Sequence, residues 1–227
     1  MKTIIALLIK QCKDSLRNLP SLMILIIYPA VAFVMIMAMK GEEGMDNVFV
    51  PMFAAMHCSF APLVISSNIL SEEKEKGTLR SLIMAGVSRV KVLISLSVFV
   101  LVSVLLTGSA FLLMKEFTVQ TAASFTAAML TGAAVSTLIG LCIGIYSKNV
   151  TAANGRAVPV GLVFALLPML GQFNEGIAKI AKYTYSGQFR EVFEGGEFTL
   201  NTALVPAAYF VALSILLLVL FRRKGME

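Results

Sequence analysis

Ser71-Glu72-Glu73-Lys74-Glu75-Lys76-Gly77-Thr78-Leu79-Arg80 is a dense charge cluster set between two long apolar runs. Val50 to Leu70 before it and Val92 to Met114 after it contain no Asp, Glu, Lys or Arg. Each run is long enough for a membrane helix, whereas ionised groups at the density of the cluster are too costly to hold in hydrocarbon. The cluster therefore reads as a connector at one membrane face. Working outward, the same test predicts six spans: Pro20 to Met39, Val50 to Leu70, Val92 to Met114, Ser124 to Tyr146, Ala157 to Phe173 and Thr202 to Phe221. The fifth is the shortest and carries Pro159 and Pro168. At about 1.5 Å per residue it only just crosses the hydrocarbon, so a kink or a re-entrant continuation is expected there.

Composition agrees with a polytopic membrane protein. Of 227 residues, 58% are hydrophobic and 14% charged, and the mean hydropathy of +0.86 lies outside the balance of a soluble domain. Cys12, Cys58 and Cys142 lie far apart with no C-x-x-C pair, which supports neither a disulfide framework nor a zinc site. The net charge of +6 comes from basic residues scattered over short connections. That distribution argues against nucleic acid and for membrane orientation. The opening Met1 to Ile9 resembles a signal peptide only briefly, because Lys10 and Lys13 cut the apolar run and no small-residue cleavage site follows. Ile4, Ile5, Leu8, Cys12 and Leu16 recur at helical spacing, predicting a helix that lies in the interface.

The distribution of Lys and Arg orients the spans. Fourteen fall before Pro20, from Lys74 to Lys91, at Lys148 and Arg156, and at Arg222 to Lys224; five, Lys40, Lys115, Lys179, Lys182 and Arg190, fall on the other side. The positive-inside rule puts both termini and the connector in the cytoplasm, and an even number of spans agrees. No repeat and no long polar stretch divides the chain, so residues 1–227 are treated as one domain. The connection Lys40 to Phe49 is too short for a large external module.

The connector reads locally as a short helix, with Ser71 as N-cap, Glu72 and Glu73 near the positive helix start, a Glu72–Lys76 pair and Gly86 as terminator. Leu79, Leu82 and Ile83 would then share a face able to enter a partner's groove. The plainer alternative is a solvated loop that only orients the protein.

Gly77-Thr78-Leu79-Arg80 with the preceding Glu-Lys-Glu-Lys run, followed by Gly86-Val87-Ser88-Arg89, resembles the cytoplasmic coupling segment of ABC-2 type transporter permeases. The six-span pattern extends the resemblance over the chain, while the sharp residue match is confined to Glu72 through Arg89. The resemblance implies a permease subunit of an ATP-binding cassette exporter, two of which, as homo- or heterodimer, form the pathway. Cytoplasmic ATPase subunits carrying ATP and Mg would drive it. By this likeness Glu72, Glu73, Glu75, Gly77, Thr78, Leu79 and Arg80 are the ATPase-coupling positions. The chain itself has no G-x-x-x-x-G-K-[ST] loop, so neither an ATPase site nor a bound cofactor is expected on it.

Between Asn174 and Asn201, Ile177, Ile180, Ala181, Tyr185, Phe189 and Val192 recur near helical spacing, predicting an amphipathic segment. The resemblance implies a re-entrant hairpin on the outer side there; an ordinary surface helix is the alternative. Gly132, Ser136, Gly140 and Gly144 place small residues on one stripe of the fourth span, which predicts close helix packing within the subunit or against a second protomer. His57, the only histidine, lies in the second span, where a polar group must be paired; a hydrogen-bonded packing role is the expectation, with no catalytic or metal-binding residue assigned.

These readings predict an all-α membrane protein: six transmembrane helices, an N-terminal interfacial helix, a coupling helix between spans 2 and 3, and an outer amphipathic or re-entrant segment between spans 5 and 6. The expected site is a multi-pass place in the cell membrane, bacterial by resemblance, among membrane lipids and without nucleic acid. The expected substrate is amphipathic or hydrophobic, a drug, peptide or lipid. The competing classes are an ATP-independent channel or secondary transporter, favoured by ion or proton dependence, and a non-transporting anchor or sensor.

Overall fold

The structure, a computed structural model, describes residues 2–39, 44, 46–171 and 173–224. The connection Lys40 to Phe49, and with it Lys40 in the charge count, falls largely outside these residues. Among the described residues the fold is all helical, without strands. It consists of α1 (Lys2–Arg17), α2 (Leu19–Ala38), α3 (Asp46–Glu75), α4 (Thr78–Met84), α5 (Arg89–Gly108), α6 (Val119–Tyr146), α7 (Val150–Leu170), α8 (Glu175–Ala181), α9 (Tyr185–Gln188), α10 (Arg190–Phe193) and α11 (Leu200–Lys224). A 3-10 turn, Ser109–Leu113, extends α5. Six of these helices, α2, α3, α5, α6, α7 and α11, are long and apolar enough to cross a membrane.

Helix starts follow the local chemistry. Asn18, Ser88, Thr118 and Asn149 each accept a backbone N–H with a side-chain oxygen at the head of α2, α5, α6 and α7, satisfying a donor that the helix itself cannot. Several span limits move outward from the sequence reading. The fifth begins at Val150 rather than Ala157 and ends at Leu170, so Pro159 and Pro168 lie inside a 21-residue helix. Hydropathy placed that start too late because Asn154 and Arg156 interrupt the apolar run. Arg156 is accommodated by reaching back to donate to the Tyr146 carbonyl at 2.9 Å.

The six helices are not equivalent. In the most apolar stretches of α3 and α6, 67% and 72% of residues are buried, against 17–39% in the other four. α3 and α6 form the central pair, with α7 and α2 packed on α3, α11 on α6 and α1 against α5. The small-residue stripe makes this pairing possible. A Cβ at Gly140 would overlap the Leu63 carbonyl and the Ser66 hydroxyl, and one at Gly144 would stand 2.8 Å from the Ser67 carbonyl oxygen. Backbone therefore meets backbone, and Ser66 Oγ donates across the contact to the Thr137 carbonyl at 3.1 Å. Of the two neighbours left open by the sequence, the structure supplies one from the same chain.

The segment after α7 consists of the three short helices α8, α9 and α10 instead of the single surface helix that is one of its two alternatives. The expected face is split accordingly: Tyr185, Phe189 and Val192 are buried while Ile180 is exposed. Gly187 enables the break, since a Cβ there would overlap the Ala181 carbonyl. Tyr185 reaches the middle of α6, where its hydroxyl and Ser136 Oγ form a hydrogen bond of 2.8 Å. Phe125, Phe189 and Phe193 pack beneath it in one aromatic cluster.

Candidate functional site at the connector

The charged stretch that separates spans two and three begins as the end of α3, not as a new helix. Ser71 is no N-cap: it is buried within α3, and its hydroxyl donates to the Ser67 and Asn68 carbonyls at 2.8 and 3.1 Å. Glu72 and Glu73 thus stand at a helix C-terminus, the opposite of the expected end, because α3 continues four residues past Ser71. The turn comes at Gly77, whose φ of 69° is left-handed and comfortable only for glycine. α4 follows at once and is closed by Gly86 at φ 84°, with Gly86 N–H on the Ile83 carbonyl and Val87 N–H on that of Leu82. Gly86 ends the helix as the sequence predicted.

Glu73 is the centre of the site. Three residues beyond the charge-free span Val50 to Leu70, it is 6% exposed, and its carboxylate receives three donors. Lys10 Nζ and Gln11 Nε2 of α1 donate to Oε1, the latter at 2.9 Å, and Thr78 Oγ1 of α4 donates to Oε2. Thr78 also donates to the Glu73 carbonyl at 3.1 Å, covering one of the acceptors left open where α3 ends. Burial pushes the Glu73 carboxyl up, but the bonds from Lys10, Thr78 and Gln11 outweigh it and hold the group below its ordinary range. The acid is therefore ionised and fixed. Beside it lies a polar cleft of about 260 Å³, bordered by Asp14, Asn18, Ser21, Glu72 and Lys76.

Neighbouring charges tie the same helix end to the rest of the bundle. Lys74 Nζ donates to the Ile145 carbonyl near the end of α6 at 2.5 Å, and Glu75 Oε2 accepts the Val150 N–H at the start of α7 at 3.1 Å. Glu72 and Lys76 form the predicted i,i+4 pair. The end of α3 is consequently joined by side chains to α1, α4, α6 and α7.

The seven predicted coupling positions divide into two groups. Glu75, Gly77 and Arg80 are exposed, and Glu72 and Thr78 are partly so. Glu73 and Leu79 face inward. The apolar face of α4 is turned to the chain's own core instead of standing free for a partner's groove: Leu79 is 2% exposed, and Leu82 and Ile83 pack with it against Leu70, Val92, Leu141 and Phe221. Sequence polarity could not distinguish these destinations, since either would remove the same apolar area from water. Lys10 and Gln11 escaped the sequence reading altogether. The only hint was that Lys10 interrupts an otherwise apolar N-terminal run.

α1 itself sorts its apolar residues differently from the single face predicted. Leu7 and Gln11 are buried and Leu8 partly so, while Ile5, Ile9, Cys12 and Leu16 form an outward stripe. Arg17 and the first three residues lie outside the described side chains.

His57 is packed in the core with one ring nitrogen bonded as expected, while Nδ1 is buried without a hydrogen-bond partner. It is fully buried, with Nε2 3.2 Å from both the Val104 carbonyl and Thr107 Oγ1. With the proton assigned to Nε2, the ring donates to these acceptors while the Thr107 hydroxyl donates to the Ser103 carbonyl at 2.9 Å. Edges of Tyr28 and Phe111 flank the ring. Among the described residues no three His, Cys, Asp or Glu side chains converge as a metal site.

Neither protein-family models nor curated proteins match this sequence.

Proposed function

We propose that this chain is the membrane-spanning permease subunit of an ABC-2 type exporter, docking a separate cytoplasmic ATPase on the α3–α4 connector and moving an amphipathic or hydrophobic substrate. The observation that carries the proposal is the wiring of the connector. Its outward side offers Gly77 and Arg80, and its α3 end is bonded to three other helices, to α1 through Glu73, to α6 through Lys74 and to α7 through Glu75, while Thr78 ties α4 to the same Glu73. A device that only oriented the protein would need charge at this face but not a buried, three-donor carboxylate behind it.

In this mechanism ATP and Mg bind and react on the partner. Closure of the ATPase presses on α4, and because Leu79, Leu82 and Ile83 are packed into the core, α4 moves with its neighbours and not alone. Glu73 passes the displacement to α1, Lys74 to α6 and Glu75 to α7. Two such chains side by side enclose the pathway, with α8–α10 as the outer gate and both termini in the cytoplasm. The apolar spans supply no carboxylate for proton coupling, which favours an external energy source over a secondary transporter.

The test is affinity purification from native membranes with vanadate-sensitive ATPase activity as the readout, comparing wild type with Arg80→Glu. Arg80 is exposed and makes no ion pair among the described residues, so its reversal leaves the fold intact. A P-loop ATPase retained by wild type and lost from the variant supports docking. Purification of intact protein without any ATPase, together with ATP-independent flux in vesicles, would replace this reading with a channel.

A further inference from the structure

An apolar groove of about 300 Å³ runs between α5, α6 and α11 on the outside of the bundle, walled by Val90, Ile94 and Leu101, by Leu138, and by Phe210 and Leu218. Val90, Ile94, Phe210 and Leu218 are exposed, so the groove opens toward the surrounding membrane. From Val90 to Leu101 the helix rises roughly 16 Å, and one leaflet of a ~30 Å hydrocarbon core is about 15 Å deep. The groove is thus as long as a single leaflet and starts at the connector end.

Charge distinguishes that end. Arg89 and Lys91 flank Val90, and Arg222 stands one turn beyond Leu218. Lys91 and Arg222 are exposed, Arg89 is half-buried, and none of the three forms an ion pair among the described residues. α5, α6 and α11 contain no Asp or Glu at all, so nothing on the helices that build the groove offsets the positive charge at this end of α5 and α11. An occupant that satisfies both parts needs a long apolar chain and a negative head. A neutral lipid leaves the basic cluster uncompensated. A second copy of this chain would bring the same acid-free helices to it.

We propose that the α5–α6–α11 groove is a binding site for an anionic phospholipid, its acyl chain lying along Val90 to Leu101 and its phosphate held by Arg89, Lys91 and Arg222. The site requires only that the six apolar helices lie in a membrane; it does not depend on the ATPase reading.

The experiment is native mass spectrometry of the purified full chain incubated with phosphatidylglycerol or phosphatidylcholine of equal chain length. Four proteins are compared: wild type, the triple variant Arg89→Gln, Lys91→Gln, Arg222→Gln, the groove-filled Ser97→Phe, and Lys115→Gln at the opposite end of α5. Wild type should retain phosphatidylglycerol in preference to phosphatidylcholine. The triple variant should lose that retention by on the order of tenfold at unchanged helix content. Ser97→Phe should lose both lipids, and Lys115→Gln should behave as wild type. Undiminished retention by the triple variant, an equal loss in Lys115→Gln, or a lipid-free dimer of wild type would each overturn the site. Should Ser97→Phe fail to fold, the two charge variants decide.

Discussion

Lys10 and Glu73 form an ion pair across 63 positions of sequence, joining the first helix to the end of the central one. Gln11 and Thr78 complete the carboxylate's shell, so a single side chain holds α1, α3 and α4 in one arrangement. Replacing Glu73 by Ala leaves the buried Gln11 amide without its acceptor and the partly exposed Lys10 with only Asp14, 3.8 Å away, and is expected to weaken docking of α1 by about 1–3 kcal/mol. Amide hydrogen exchange should show faster exchange along α1 while α3 and α6 stay protected. Exchange in α1 indistinguishable from wild type would mean that apolar contacts alone hold it.

The same carboxylate sets an acid limit. Its folded pKa lies below the ordinary value of 4.5, so its stabilising contribution is fully present above that value and is lost as pH falls through the depressed one. Docking of α1 should therefore be unchanged from neutral pH down to the ordinary carboxyl value of 4.5 and loosen only as the pH falls below it. Glu73→Gln should remove this acid step. Infrared titration of the carboxylate band, read against exchange in α1, checks the order of events.

Two glycines should be costly to replace for different reasons. At Gly77 a Cβ meets nothing within 4 Å, but the backbone is left-handed, so Gly77→Val costs about 1–2 kcal/mol of local strain and leaves the bundle packed. At Gly140 the backbone is ordinary and the space is filled. Gly140→Ala should push α3 from α6 and cost about 3 kcal/mol. Thermal unfolding in detergent distinguishes them: a larger fall for Gly77→Val would contradict the packing described here.

Tyr185 combines a ring and a hydroxyl whose contributions separate. Tyr185→Phe removes the hydroxyl with its bond to Ser136 and its interaction with Ser59 and is expected to cost about 1 kcal/mol, whereas Tyr185→Ala also empties an aromatic site and costs about 3–5 kcal/mol. In a double-mutant cycle, Ser136→Ala added to Tyr185→Phe should cost little more than either alone. Full additivity would show that the two hydroxyls act independently.

Much of the architecture is readable from local chemistry. Charge-free runs mark the spans and Gly86 marks a stop, while the caps Asn18, Ser88, Thr118 and Asn149 are side chains whose role the hydropathy reading passes over. Errors concentrate where a local rule met a longer-range one. Ser71 is a good N-cap residue, yet α3 runs through it because the turn already has a better hinge in Gly77. The apolar residues of 174–201 recur near helical spacing, yet the chain turns between Ala181 and Tyr185 to bury Tyr185 against Ser136 and forms three short helices.

Which segments are long and apolar enough to cross a membrane, and which ends carry the positive charge, follow from the sequence alone, because hydropathy and charge are properties of each segment. Only the tertiary structure decided that α3 and α6 are the central pair, that Leu79 turns inward while Arg80 turns outward, and that Glu73 answers to Lys10. The physical reason is that lipid and protein interior are equally apolar, so a leucine's polarity does not choose between them. Backbone approach at Gly140 and Gly144 and the pairing of a buried charge make that choice, and both depend on residues far apart in the chain.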